Sequence, residues 1–111
     1  MNKELIKQDG KIKPRILATK NIRIELKNNF PDTKFSIKSS VFANGDSIHI
    51  IWHGGPSNEE VNKIVRKYQS GTFDIYTDCY EYQDSDFNRT YGEAKYIQCF
   101  RRKIKEEQKW N

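Results

Sequence analysis

Asp46-Ser-Ile-His-Ile-Ile-Trp-His-Gly-Gly-Pro-Ser-Asn-Glu-Glu-Val-Asn-Lys-Ile-Val65 carries the two clearest periodic signals in the chain. Between Ser47 and His53 a strand puts Ile48, Ile50 and Trp52 on one face and Ser47, His49, Ile51 and His53 on the other. The first face reads as core and the second as mixed. Gly54, Gly55 and Pro56 break the strand. Ser57 and Glu60 then have the Ser-x-x-Glu spacing of a capping box, in which each side chain satisfies the other's backbone amide at a helix start. Val61, Ile64, Val65 and Tyr68 follow as the buried stripe of that helix, with Asn62, Lys63, Arg66 and Lys67 facing outward. A half-buried strand running straight into an amphipathic helix makes the chain α+β.

Upstream, Asn44-Gly45 is a hairpin signal, because both residues accept the positive φ of a type I′ turn. The partner strand is Lys34-Phe-Ser-Ile-Lys-Ser-Ser40, with Phe35 and Ile37 sharing a face. Before it, Ile16, Leu17, Ile22, Leu26 and Phe30 fit one helical face closed by Pro31, although Ile22, Ile24 and Leu26 also alternate as a strand would. Either Thr19 caps this helix or Pro14 occupies its first turn. Residues 1 to 13 alternate charges with single apolar residues and read as a flexible basic arm.

Downstream, Gly71 is expected to stop the second helix. A strand follows through Phe73, Ile75, Tyr76, Cys79, Tyr80 and Tyr82, then a loop or wide hairpin turn from Gln83 to Glu93, then a last strand from Ala94 to Arg102. Residues 103 to 111 form a charged tail, legible as a short helix. The expected order is therefore α-β-β-α-β-β within one domain spanning residues 14 to 102. A two-layer sandwich satisfies it, with a four-stranded antiparallel sheet and two helices on one face.

Twenty Lys and Arg against 15 Asp and Glu give a net charge of +5 in 111 residues, a balance that favours acidic partners. Six Phe, six Tyr and two Trp compensate for a hydrophobic share of only 35%. Two cysteines, Cys79 and Cys99, are too few for a disulfide scaffold and fit a reducing cytosol. The N-terminus has no apolar leader and no run is long enough to span a membrane, so the expected location is the cytoplasm of a bacterial host.

Candidate binding residues are His49 and His53 on the mixed strand face, with Lys34, Lys38, Lys95, Tyr96, Arg101 and Arg102, where basic residues interleave with aromatics. On a sheet this interleaving gives a platform on which bases stack while cations meet phosphates. Asp74, Asp78, Glu81, Asp84 and Asp86 form an acidic patch without the spacing of a calcium loop. Two histidines with Asp46, Asp78 or Cys79 do not have the spacing of a metal site, and no activated-thiol motif surrounds Cys79. Glu59 and Glu60 would repel a phosphate from the helix start after Pro56. No cofactor, metal or catalytic centre is expected.

Asn21-Ile-Arg-Ile-Glu-Leu-Lys27, Phe30-Pro31, Lys34-Phe-Ser-Ile-Lys38, Gly45-Asp-Ser-Ile48, Trp52, Gly55-Pro56, Phe73-Asp74, Asp78 and Tyr80-Glu81 stand in an order and spacing that resembles the large polyvalent protein-associated domains. The resemblance covers about residues 18 to 82 and leaves the segment after Glu81 outside. Gly54 stands where an acidic residue is expected before Gly-Pro. Such domains occur in long proteins of phages and conjugative elements, beside modules that protect or process incoming DNA. The resemblance implies a mobile-element origin and a stand-alone version of the module. The first expectation is a non-enzymatic binding module, monomeric or homodimeric, that contacts a host or element-encoded protein and acts as an inhibitor of a host defence system, of the anti-CRISPR or antirestriction type. The alternative is a single-stranded nucleic-acid binder that uses sheet aromatics and a Lys/Arg rim.

Overall fold

The computed structural model describes residues 3–74, 76–77, 79–82 and 85–102, with the backbone alone at 72–74 and 82. The order is α1 (Pro14–Asn29), β1 (Phe35–Phe42), β2 (Gly45–His53), α2 (Asn58–Val65), a 3₁₀ turn (Arg66–Tyr68), β3 (Gly71–Asp74), β4 (Cys79–Tyr82), α3 (Asp86–Tyr91) and β5 (Tyr96–Arg102).

Pro14 takes the first position of α1, where its fixed φ suits the helix and its missing N–H removes no bond. Thr19 lies within the helix, and its hydroxyl donates to Arg15 O at 2.8 Å. Ala18, Ile22 and Leu26 bury against the sheet. Asn21 is fully buried on this helix and fully satisfied: it accepts from Ile6 N at 2.7 Å and donates to Ile6 O at 2.8 Å and Tyr91 O at 2.9 Å. Asn28 makes the same two-way pairing with the backbone of Lys3, and Gln8 N donates to Thr90 O. Residues 3 to 8, read from sequence as part of a basic arm, are thus tied along α1 and to the end of α3.

The β1–β2 hairpin forms as expected, but one residue earlier. Phe42 pairs with Gly45, so the loop is Ala43-Asn44. Gly45 holds a φ of +153°, which strains any other residue, and a Cβ there would also press on the stem of Lys95, whose Nζ donates to Asn44 O at 2.8 Å. Ser57 caps α2 with the reciprocal bonds of a capping box, Glu60 N to Ser57 Oγ at 3.2 Å and Ser57 N to Glu60 Oε1 at 3.1 Å. Helix α2 ends at Val65 and tightens into the 3₁₀ turn; Gly71 begins β3 rather than ending the helix.

The α+β class holds, while the four-stranded antiparallel sheet does not. One sheet has three strands in the order β1-β2-β5, with β1 antiparallel and β5 parallel to the central β2; β3 and β4 form a separate antiparallel pair. The single strand expected from Phe73 to Tyr82 is divided into these two. The expected loop from Gln83 to Glu93 contains α3, capped by Ser85. This short helix and the 3₁₀ turn carry the chain back so that β5 enters alongside β2 in the same direction. Ser70 N to Ala94 O and Ala94 N to Tyr68 O, both 2.9 Å, fix that entry. Of the expected tail helix, residues 103–111 lie outside the described residues.

Helices α1 and α2 cover one face of the β1-β2-β5 sheet. Ile22 and Leu26, then Val61 and Val65, close over Ile37, Ile48, Ile50 and Trp52. Each such aliphatic side chain stabilises the fold by roughly 1.5–3 kcal/mol through burial. Trp52 is 1% exposed, and its indole N–H donates to Pro56 O at 2.9 Å, which fastens the strand-to-helix corner to the core. Across the other side of α1, Glu25 accepts from Lys67 Nζ at 2.7 Å and from the Tyr68 hydroxyl. Burial, reinforced by the Glu25 carboxylate, raises the Tyr68 phenol far above its ordinary range and keeps it a donor. Among the described residues no helix is long and apolar enough to cross a membrane.

Candidate functional site

Because both helices lie on one face of the sheet, alternation along the strands presents a second set of side chains on the other. From β1 these are Ser36, Lys38, Ser40 and Phe42, all exposed. The central strand adds Ser47, His49, Ile51 and His53, and β5 adds Tyr96, Gln98, Phe100 and Arg102. The register places them in rows across the sheet: Ser40, Ser47 and Tyr96; Lys38, His49 and Gln98; Ser36, Ile51 and Phe100. No Asp or Glu stands among these positions.

The rings are arranged in two groups. Phe42 stacks on Tyr96 across the sheet, with centroids 6.2 Å apart and planes 23° from parallel. Tyr80, from β4, meets Tyr96 edge-on at 5.5 Å, and its hydroxyl donates to Lys95 O, which anchors the small hairpin to the start of β5. Lys95 Nζ lies 4.9 Å from the Tyr80 centroid and 5.6 Å from that of Tyr96. In the second group His49 stands edge-on to Phe100. Phe42 and Phe100 remain 44% and 43% exposed, so part of each ring is open to solvent.

The sequence-derived candidates fall into three places. His49, His53, Lys38, Tyr96 and Arg102 share the open face, and Lys95 borders it. Arg101 has the opposite register, level with Trp52, and its backbone amide donates to Asn58 Oδ1 of α2. Lys34 precedes β1 and lines a groove with Arg23 and Lys27. Its neighbour Phe35 turns inward, with its ring 5.5 Å from Trp52, and belongs with the core. Phe42 and Gln98 are members of the face that residue type alone did not single out. Their signal was alternation: Phe42 is in phase with Lys38, and Gln98 with Tyr96.

Of the acidic patch, Glu81 is exposed on β4, and Asp86 is exposed in the first turn of α3, paired with Arg89. The side chain of Asp74, with Asp78 and Asp84, lies outside the described residues. Among the described residues no three His, Cys, Asp or Glu gather into a metal-binding group. Cys79 is exposed on β4 in the smaller sheet. Cys99 faces α2, with Sγ 3.6 Å from Asn62 Oδ1, and burial pushes its thiol up to about 11, opposite to the shift that activates a thiolate. The outer strand β5 offers little to a further strand, since side chains already occupy two of its backbone amides: Ile97 N donates to Gln69 Oε1 at 3.0 Å and Arg101 N to Asn58 at 3.2 Å.

An open sheet face of this make-up can do two things: stack planar groups on its rings and attract negative charge to its rim. Comparisons with curated proteins and with solved structures found no match. The family model of Large polyvalent protein associated domain 29 matches residues 15–104, from the start of α1 past the end of β5, and so extends beyond the 18 to 82 expected. That span is most of the chain, and the protein therefore belongs to this phage-associated family, Large polyvalent protein associated domain 29.

Proposed function

We propose that this domain is a non-catalytic module that binds single-stranded nucleic acid across the open face of the β1-β2-β5 sheet. The observation that carries the reading is the pairing of accessible rings with positive charge on one face. Phe42, Tyr96 and Phe100 stand on a face whose described strand positions hold no carboxylate and which is bordered by Lys38, Lys95 and Arg102. Every base has a π-face, and stacking one base on an aromatic side chain contributes about 1–3 kcal/mol without regard to its identity. Tyr96 and Phe100, four residues apart on one strand, are separated by about 13 Å, enough for bases of one strand to occupy both groups. Gln98 and His49 share the row between Tyr96 and Phe100, and Ser40 and Ser36 stand level with those rings on β1, all with hydrogen-bonding groups for base edges or sugars.

Fluorescence anisotropy with labelled single-stranded oligonucleotides, dT and U in parallel, tests this. Binding at low salt should weaken with a log–log salt slope of about −2, as three cations displace counterions from a single strand. Phe42→Ala with Phe100→Ala should reduce affinity at least about tenfold, the equivalent of 1.4 kcal/mol. Absence of binding at low salt would sink the proposal.

A second reading is favoured by the exposed apolar side chains of Val41 at 68% and Tyr76 at 93%, which lie off the ring rows. On that reading the domain contacts a host or element-encoded protein, such as a defence nuclease. Capture from a bacterial lysate that is lost in Val41→Asp or Tyr76→Asp, yet kept in the ring variants, would support the protein partner.

A further inference from the structure

Helix α1 carries a second cationic surface that the sheet-face reading does not use. Lys20, Arg23 and Lys27 recur at the spacing of one helical stripe and are all exposed. With Lys3 and the apolar floor of Ile6 and Ile24, they line a shallow groove of about 330 Å³. Arg23 and Lys27 also line a neighbouring groove of about 290 Å³ with Lys34 at the start of β1. Among the described residues no carboxylate lines either groove. Glu25, the one acid within α1, is turned away to Lys67 and Tyr68.

Lys34 links this strip to the sheet. Four residues later, about 13 Å along the chain's extended course, Lys38 of the edge strand β1 stands on the open face. Positive charge therefore continues from α1 around the β1 edge to the proposed single-strand platform. The two surfaces differ in what they can hold. Among the described residues the strip has no exposed ring on which a base could stack, so it fits a ligand that presents phosphates and keeps its bases inside. Lys20 to Lys27 spans about 10 Å of helix, the axial rise of about three phosphates of one duplex strand.

We infer that the α1 strip holds the phosphate backbone of a duplex while the sheet holds the adjoining single strand, making the preferred ligand a single-strand/duplex junction. The inference rests on the sheet-face reading and adds the substrate class.

Three probes decide it: a single-stranded 15-mer, a blunt duplex, and that duplex with the 15-mer as overhang. The intact protein should bind the overhang probe at least about tenfold more tightly than the 15-mer alone, corresponding to 1.4 kcal/mol. Lys20→Glu/Arg23→Glu/Lys27→Glu should abolish that advantage and leave 15-mer affinity within about twofold. Lys20→Gln/Lys27→Gln, which keeps the Arg23 contact to Ile37 O, should lower the salt slope on the overhang probe by about two. Equal affinity of the intact protein for overhang and 15-mer overturns the inference, as does an undiminished advantage in both strip variants. Failure of the sheet reading looks different: 15-mer binding would then survive Phe42→Ala/Phe100→Ala.

Discussion

The imidazole of His49 on β2 stands edge-on to the ring of Phe100 on the parallel neighbour β5, with centroids 5.8 Å apart and planes at 83°. That arrangement braces Phe100 from one side, while the residue as a whole remains 43% exposed. Phe100→Ala should therefore separate stability from binding. At 43% exposure its truncation should cost no more than about 1 kcal/mol in urea unfolding. Oligonucleotide affinity should fall by a factor of about five to a hundred, the equivalent of one stacked base. Equal affinity for the variant and the parent would mean that Phe100 is a packing residue.

Trp52 should behave in the opposite way. It is buried in the core and bonded to Pro56 O, and Trp52→Ala should cost about 3–5 kcal/mol through the cavity left behind. Ser57→Ala removes one side of the capping box and should cost about 0.5–2 kcal/mol. Urea midpoints measured side by side should rank the two in that order. A larger loss for the cap would contradict the assignment of Trp52 as the anchor of this corner.

These two residues also mark what the sequence could reveal. The hairpin, the capped helix and the inward face of β2 depend on neighbours in the chain, and turn and cap chemistry expose such features locally. The partner of β5 depends on packing across more than forty residues. Alternation in Tyr96-Ile-Gln-Cys-Phe100 specifies two faces but no neighbour, and so an antiparallel hairpin with the preceding strand was expected. Helix α3 was missed because six residues are too few for a 3.6-residue period to stand out. Its signals were Ser85 as cap, Phe87 and Tyr91 one turn apart with ring centroids at 4.9 Å, and Gly92 as the stop. Lysines and histidines of the open face were legible by type. The grouping of Phe42 with Tyr96, and of His49 with Phe100, required the register. The α1 strip was not singled out, because the groove beside it is completed by Lys3 and Ile6.

Gly92 holds the junction between α3 and β5 against α1. Its φ is +99°, and a Cβ would approach Ala18 N to 2.4 Å and Pro14 O to 2.7 Å, both backbone atoms that cannot swing aside. Gly92→Ala combines backbone strain with this clash and should destabilise the domain by on the order of 2–4 kcal/mol. A parental unfolding midpoint for the variant would show that β5 can enter the sheet without that close approach.

The two thiols should react at different rates. Cys79 is exposed, whereas the Cys99 thiol, half-buried against α2, is raised to about 11. At pH 8 a thiol with that pKa is thiolate in only about one molecule in a thousand, and the thiolate is the reactive form. Iodoacetamide should therefore label Cys79 first, with Cys99 labelling accelerating as pH rises toward 11. The sign for stability follows. The native state holds this proton through the range where an unfolded thiol has lost it, so the Cys99 contribution is complete below about pH 8.5 and is lost as pH climbs through 11. Mass-resolved labelling of the native protein checks the order.

Backbone amide chemical shifts, followed while a single-stranded oligonucleotide is titrated into the labelled protein, test the sheet-face proposal most directly. The largest changes should fall on Lys38, His49, Gln98 and Phe100, with Tyr96 and Phe42 beside them. Val61 and Val65 of α2, beneath the opposite face, should stay in place. Changes confined to the helices, or none at low salt, would contradict single-strand binding on the open face.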